Sequence, residues 1–111
     1  MRKVWLIILL LLLSVSFVYA DEIPCIAGDC SGWYVSYNKA NDYLMFKYEN
    51  NTGETAFHIT CRINFYDAGG GYLNNVVFRH TGPIHKQLVF RSRCPNGLSR
   101  MEAEIYYKKE Y

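Results

Sequence analysis

After residue 20, apolar and polar residues alternate along most of the chain with a period of two. Between Ala56 and Tyr66, Phe57, Ile59, Cys61, Ile63 and Phe65 point one way, and His58, Thr60, Arg62 and Asn64 point the other. That is the pattern of a half-buried strand; a helix would scatter the same residues around its axis. Leu44, Phe46 and Tyr48 repeat the pattern, as do Met101, Ala103, Ile105 and Tyr107. Weaker strands are predicted over Trp33–Asn38, Tyr72–Arg79 and Ile84–Arg91, which are rich in β-branched and aromatic residues. Turn residues punctuate the strands: Asn50-Asn51-Thr52-Gly53, the run Asp67 to Gly71, Thr81-Gly82-Pro83 and Cys94-Pro95-Asn96-Gly97. Six short strands at a spacing of about 10–15 residues, with no helical stretch, predict an all-β fold, an antiparallel β-sandwich or small barrel. The expected core is Leu44, Phe46, Phe57, Ile59, Ile63, Phe65, Leu88, Phe90, Ala103 and Ile105. No internal repeat, low-complexity tract or second domain is visible.

The N-terminus carries a different pattern. Arg2 and Lys3 precede an apolar run from Val4 to Leu13, and Val18-Tyr19-Ala20 fits the small-x-small cleavage rule. Asp21 and Glu22 follow at once, which argues against an uncleaved anchor. Residues 1–20 are therefore expected to be a signal peptide cleaved after Ala20, residues 21–32 an irregular N-terminal arm, and residues 33–111 the β-sandwich domain. The expected destination is secreted or periplasmic. Cys25 lies too far past the boundary for a lipoprotein. Removing the leader takes away two of the 12 basic residues and none of the 10 acidic ones, leaving net charge zero. A domain this short buries only about 60–65% of its unfolded surface, so a covalent staple is expected. All four cysteines, Cys25, Cys30, Cys61 and Cys94, lie in the exported part, where disulfides form. Of the three possible pairings, Cys25 with Cys30 and Cys61 with Cys94 is favoured over crossed arrangements. A metal site is disfavoured because no C-x-x-C unit occurs.

A family resemblance rests on three stretches: Tyr48-Glu49-Asn50-Asn51-Thr52-Gly53, then Phe57 through Phe65-Tyr66-Asp67, then the glycines 69–71. Together they resemble the asparagine turn, long strand, Phe-Tyr-Asp and glycine pattern of FxLYD-type immunoglobulin-like domains of exported prokaryotic proteins. Gly82-Pro83 ahead of Leu88-Val89-Phe90 is similar to the turn and strand that follow in that family. The resemblance covers residues 43–91. It implies an immunoglobulin-like β-sandwich with an accessory or binding role and no catalytic residues to carry over.

Catalytic motifs are missing from the sequence. His58 falls on a polar strand face, and His80 and His85 flank a turn without an evident third metal ligand. Asp67, Glu49 and Glu54 form no recognisable constellation with them. No Gly-x-Ser-x-Gly, His-Glu-x-x-His or phosphate-cradling loop occurs, since Gly69-Gly70-Gly71 lacks the lysine and following helix. Cys61 lies on an apolar face, which disfavours a nucleophilic thiol. No enzyme, metal or cofactor is expected.

Charge is more informative. Residues 68–101 contain no acid but five bases, Arg79, Lys86, Arg91, Arg93 and Arg100, whereas residues 21–67 carry seven acids against three bases. If those bases share a face, they suit an anionic protein or envelope component; nucleic acid is not expected for an exported chain of zero net charge. The chain also has ten tyrosines and two tryptophans. Tyr34, Tyr37, Tyr43, Tyr72, Tyr106 and Tyr111 exceed what a small core accommodates, and surplus tyrosine suits interfaces. The candidate binding residues are thus Trp33, Tyr34, Arg79, Lys86, Arg91, Arg93 and Tyr106. Asn50-Asn51-Thr52 reads equally as a glycosylation acceptor and as a turn. Two functions are expected from this reading: a small non-catalytic binding module recognising a protein or anionic envelope component, or an inhibitor or immunity-type protein that blocks one exported enzyme with loop 67–72 or 94–98.

Overall fold

The computed structural model describes residues 21–111; the expected signal peptide and its cleavage site lie outside the described residues. Within them the chain forms eight strands: β1 (Asp21–Glu22), β2 (Cys25–Gly28), β3 (Trp33–Ala40), β4 (Tyr43–Asn50), β5 (Phe57–Tyr66), β6 (Tyr72–His80), β7 (Gln87–Arg93) and β8 (Arg100–Lys108). They make two four-stranded sheets. Sheet A has the order β1-β3-β4-β7 and sheet B the order β2-β8-β5-β6. Strands β3 to β8 are the six that alternation predicts.

Two features depart from expectation. Residues 21–32 are not an irregular arm, since they supply an edge strand to each sheet. Nor is the pairing uniformly antiparallel, because β2 runs parallel to β8. Backbone bonds dock this segment: Ala103 N–H donates to Pro24 O at 2.9 Å, and Asp29 N–H to Ile105 O at 2.7 Å. Gly28 adopts φ +87° and lies so close to Ile105 that a side chain there would collide with its carbonyl. The Cys25–Cys30 disulfide, across a sequence separation of 5, closes the turn just beyond.

The sheets pack face to face through the inward parity of their strands. Phe46 meets Phe65 across the interface at 6.3 Å, and Phe78 stacks on Phe90 at 4.7 Å with planes within 3°. Nine of the ten expected core residues are buried. The exception, Phe57, is half-buried against Tyr111. Next to it, His58 takes φ +51°, and the β5–β8 register shifts between Phe57 and Thr60. This bulge breaks the period of two, so that Ala56 and Ile59 face inward three positions apart instead of two. Tyr48 is fully buried, and its hydroxyl donates across the core to the carbonyls of Glu104 at 3.1 Å and Arg62 at 3.3 Å. That bond satisfies the phenol and ties sheet A to the backbone of sheet B.

Cys25 and Cys30 pair as expected, but Cys61 and Cys94 do not; both are free thiols. Cys61 faces the core in the middle of β5, opposite Phe78 and Ile105. Cys94 lies just past β7 in the other sheet, where its N–H donates to Asp42 O at 2.7 Å. Facing sheets pack about 10 Å apart. A disulfide tolerates a Cα separation of only about 7 Å, so strands in opposite sheets bring these thiols together only where they converge.

Candidate functional site

The connection 81–86 carries the chain from sheet B to sheet A, so the acid-free run is divided between opposite faces. Arg91 and Arg93 join Tyr34 on the exterior of sheet A. Arg79 and Tyr106 lie on the exterior of sheet B, flanking Thr60 in one row of the ladder. Lys86 sits between the two, with its carbonyl accepting Asn50 N–H at 2.7 Å. Trp33 is not a surface residue: it is 8% exposed and packs on Tyr107 at 5.5 Å, because the parity of β3 turns it inward with Val35. The candidate residues therefore do not form one cluster.

Exterior rows of sheet A run Tyr34–Glu49–Gln87, Ser36–Lys47–Val89, Asn38–Met45–Arg91 and Ala40–Tyr43–Arg93. The even positions of β4 and β7 supply the core, and among the odd, outward positions Tyr43, Met45 and Val89 are apolar where solvent would favour polar or charged residues. Tyr43 is 41%, Met45 38% and Val89 46% exposed. Both guanidiniums lie over the Tyr43 ring, Arg91 at 5.4 Å and Arg93 at 6.0 Å from its centre. Neither arginine has a carboxylate partner among the described residues. Ser36, Asn38, Met45, Lys47, Gln87 and Val89 line a shallow depression beside them. Sequence reasoning counted Tyr43 among the surplus tyrosines without naming it a candidate binding residue, and missed Met45 and Val89 as surface groups. The available signal was their parity, opposite to that of Leu44, Phe46 and Leu88.

On the exterior of sheet B several charged and phenolic groups are engaged with one another, while Arg79 has no carboxylate partner among the described residues. Glu104 accepts from Asn64 Nδ2 and Tyr106 Oη, both at 2.7 Å, and these bonds hold its carboxyl below the ordinary range. The same carboxylate raises the Tyr106 phenol. Arg100 pairs with Glu102 at 3.0 Å and lies 4.2 Å over the Tyr66 ring. Glu102, in turn, raises the Tyr66 phenol. Tyr72 donates edge contacts to Tyr66 and accepts from Asn75 Nδ2 at 2.6 Å. Each of these pairs neutralises or satisfies its own members.

Other sequence candidates resolve into structure. Asn50 is 8% exposed; its amide donates to Glu54 O at 2.8 Å and Ile84 O at 3.2 Å, and its Oδ1 accepts Thr52 Oγ1 at 2.6 Å. It is the clasp of the 51–56 turn, with no free amide to carry a glycan. In loop 67–71, Asp67 Oδ1 accepts the N–H groups of Gly69 and Gly71, so the amides that would cradle an anion are already taken. A side chain at Gly71 would press on Asp67 Oδ2 at 2.9 Å. His58 lies against the Tyr111 ring, and His85 Nδ1 is 2.9 Å from Thr55 Oγ1. Among the described residues no three His, Cys, Asp or Glu side chains gather as a metal site. Burial pushes the Cys61 thiol up to about 12, the opposite of an activated nucleophile. No helix among them is long and apolar enough to cross a membrane. No known protein family matches the chain, nor does any curated protein or solved structure.

Proposed function

We propose that the chain is a small, secreted or periplasmic, non-catalytic binding module with an immunoglobulin-like β-sandwich fold, recognising a protein or an anionic envelope component. One observation carries the reading: the exterior of sheet A sets exposed Tyr43, Met45 and Val89 beside two arginines that lack carboxylate partners among the described residues. Apolar contact area supplies affinity, and unpaired guanidiniums select an anionic partner and speed encounter. The signal-like N-terminus, the Cys25–Cys30 disulfide and the resemblance to FxLYD-type domains support export and architecture.

The test is capture from the exported fraction of the source cells by the oxidised domain 21–111, at low and high salt. Salt-labile capture that falls at least tenfold with Arg91→Glu plus Arg93→Glu supports the module. Capture unchanged by that double substitution removes this face from the function.

A second reading, inhibition of one exported enzyme, draws support from the placement of loops 67–71 and 94–99 at one end of the molecule, where Ser99 N–H donates to Tyr66 O at 2.8 Å. An inhibitor forms a tight, salt-resistant one-to-one complex that loop substitutions abolish and the arginine substitutions leave intact.

A further inference from the structure

We infer that β7 is a docking strand, and that an extended, acidic segment of a partner protein adds to its free edge as a fifth strand of sheet A. The inference rests on the binding-module reading and names the mode and chemistry of that binding. It starts from the sheet order, in which β7 has β4 on one side and, among the described residues, no strand on the other.

The ladder tells which backbone groups are open. At its two ends Cys94 N–H donates to Asp42 O and Asn50 N–H to Lys86 O, both at 2.7 Å. Antiparallel bonding alternates strictly, so the even positions Leu88, Phe90 and Ser92 face β4. The N–H and C=O groups of Gln87, Val89, Arg91 and Arg93 therefore point away from the sheet. The side chains of the same four residues stand on its exterior, so a strand added here sets its own exterior residues beside Val89, Arg91 and Arg93. Cross-strand neighbours at that spacing, roughly 5 Å, favour opposite charge. The matching segment has carboxylates at two alternate positions and an apolar residue two further along, against Val89.

Charge distinguishes this occupant from the alternatives. Both free edges on this side, β6 and β7, fall in the acid-free stretch, with Arg79, Lys86, Arg91 and Arg93 along them. The opposite side of the molecule carries Asp21, Glu22 and Asp29 on and beside β1 and β2. A second copy pairing β7 with β7 would set four guanidiniums on one face of two adjacent strands. That repulsion guards the edge against self-association. Of the two edges, β7 has the paired arginines and the exposed Met45 and Val89 beside it. Strand addition gives affinity through the main chain and selectivity through alternate side chains.

The experiment uses the oxidised domain 21–111 and a labelled ten-residue peptide whose one face reads Glu, Glu, Val at successive alternate positions, with Thr at the positions between. Two N-methylated versions block the peptide's amides on one edge or the other. The expected result is saturable binding to the unmodified peptide, with one methylated version losing at least tenfold and the other retaining affinity. Amide exchange of Val89, Arg91 and Arg93 should slow on binding, while Leu88 and Phe90, already bonded to β4, should not change. Val89→Pro removes an open donor without touching the β4 ladder and should cost at least tenfold; circular dichroism checks its fold. Arg91→Glu with Arg93→Glu should reverse the preference toward a peptide with Lys in place of Glu. Equal binding of both methylated peptides, or none, overturns strand addition. If the domain still captures exported material in a salt-labile way that Val89→Pro leaves intact, the module reading survives that failure. Capture of nothing by the native domain removes both.

Discussion

Asn50 shows how one side chain holds a connection. Its amide and carbonyl link Glu54, Ile84 and Thr52, and four bonds in a buried site leave unsatisfied groups when removed. Asn50→Ala is expected to destabilise the domain by about 2–4 kcal/mol, read as a fall in the urea midpoint at constant m. Asn50 as turn former was legible in the sequence; its burial was not, because a sequon and a clasp use the same letters. The thiols offer a second check at this scale. Cys61 is fully buried and Cys94 half-buried, so a native titration with an aromatic disulfide reagent should find one thiol reacting promptly and a second only on unfolding. Cys94→Ser should abolish the prompt reaction. Zero thiols in the unfolded, unreduced protein would restore the Cys61–Cys94 bond. Their partnership was not legible because spacing along the chain does not say which sheet a strand joins.

At the scale of elements, β5 is the strand whose alternation is clearest and whose departure from it teaches most. His58, at φ +51°, sits where an L side chain is strained by about 1 kcal/mol. His58→Gly is therefore expected to leave the fold intact and raise stability by about 0.5–1 kcal/mol, less whatever the Tyr111 contact contributes, measured by thermal melting. A loss above 1 kcal/mol would show that the imidazole, not the bend, matters there. β7 makes the complementary case. Phe90 meets Phe46 at 5.3 Å, Tyr48 at 5.9 Å and Phe78 at 4.7 Å, closing the core on the side where both sheets end. Phe90→Ala should cost about 3–5 kcal/mol in chemical denaturation. Val89→Ala, one residue away and facing solvent, should cost well under 1 kcal/mol. A sequence reader assigns both residues to one strand. Only parity against the opposite sheet separates their roles.

For the whole molecule, buried titratable groups set the pH window. Burial raises the Cys61 thiol from its ordinary 9.0 to about 12 and raises the Tyr48 phenol as well. Both are protonated in the fold and ionise more readily in the unfolded chain. Their stabilisation is thus complete below pH 9 and lost as pH rises toward 12, at about 1.4 kcal/mol per pH unit for each group titrating only in the unfolded chain. Cys61→Ala should remove one proton from that alkaline slope in pH-dependent urea melts; an unchanged slope would mean that the thiol is not buried in solution. Glu104 runs the other way. Its carboxyl is lowered by Asn64 and Tyr106, so its contribution holds above the ordinary carboxylate range and fades as pH falls through and below it. Asn64→Ala should flatten the acid limb without moving the alkaline one.

Alternation by itself determined the strand class, six of the eight strands and nearly the whole core, because period two is a local property that the chain carries on its face. Composition and the N-terminal pattern determined the expectation of export and the absence of recognisable catalytic motifs. Only the tertiary structure decided that residues 21–28 border both sheets, that β2 runs parallel to β8, and that Cys61 and Cys94 stay apart. It also decided that the basic run is split between faces yet gathered along one side of the molecule, with β7 at an open edge. These are facts about which strand lies beside which. They depend on pairings across long separations in sequence, whose free energy comes from contacts that no local window contains.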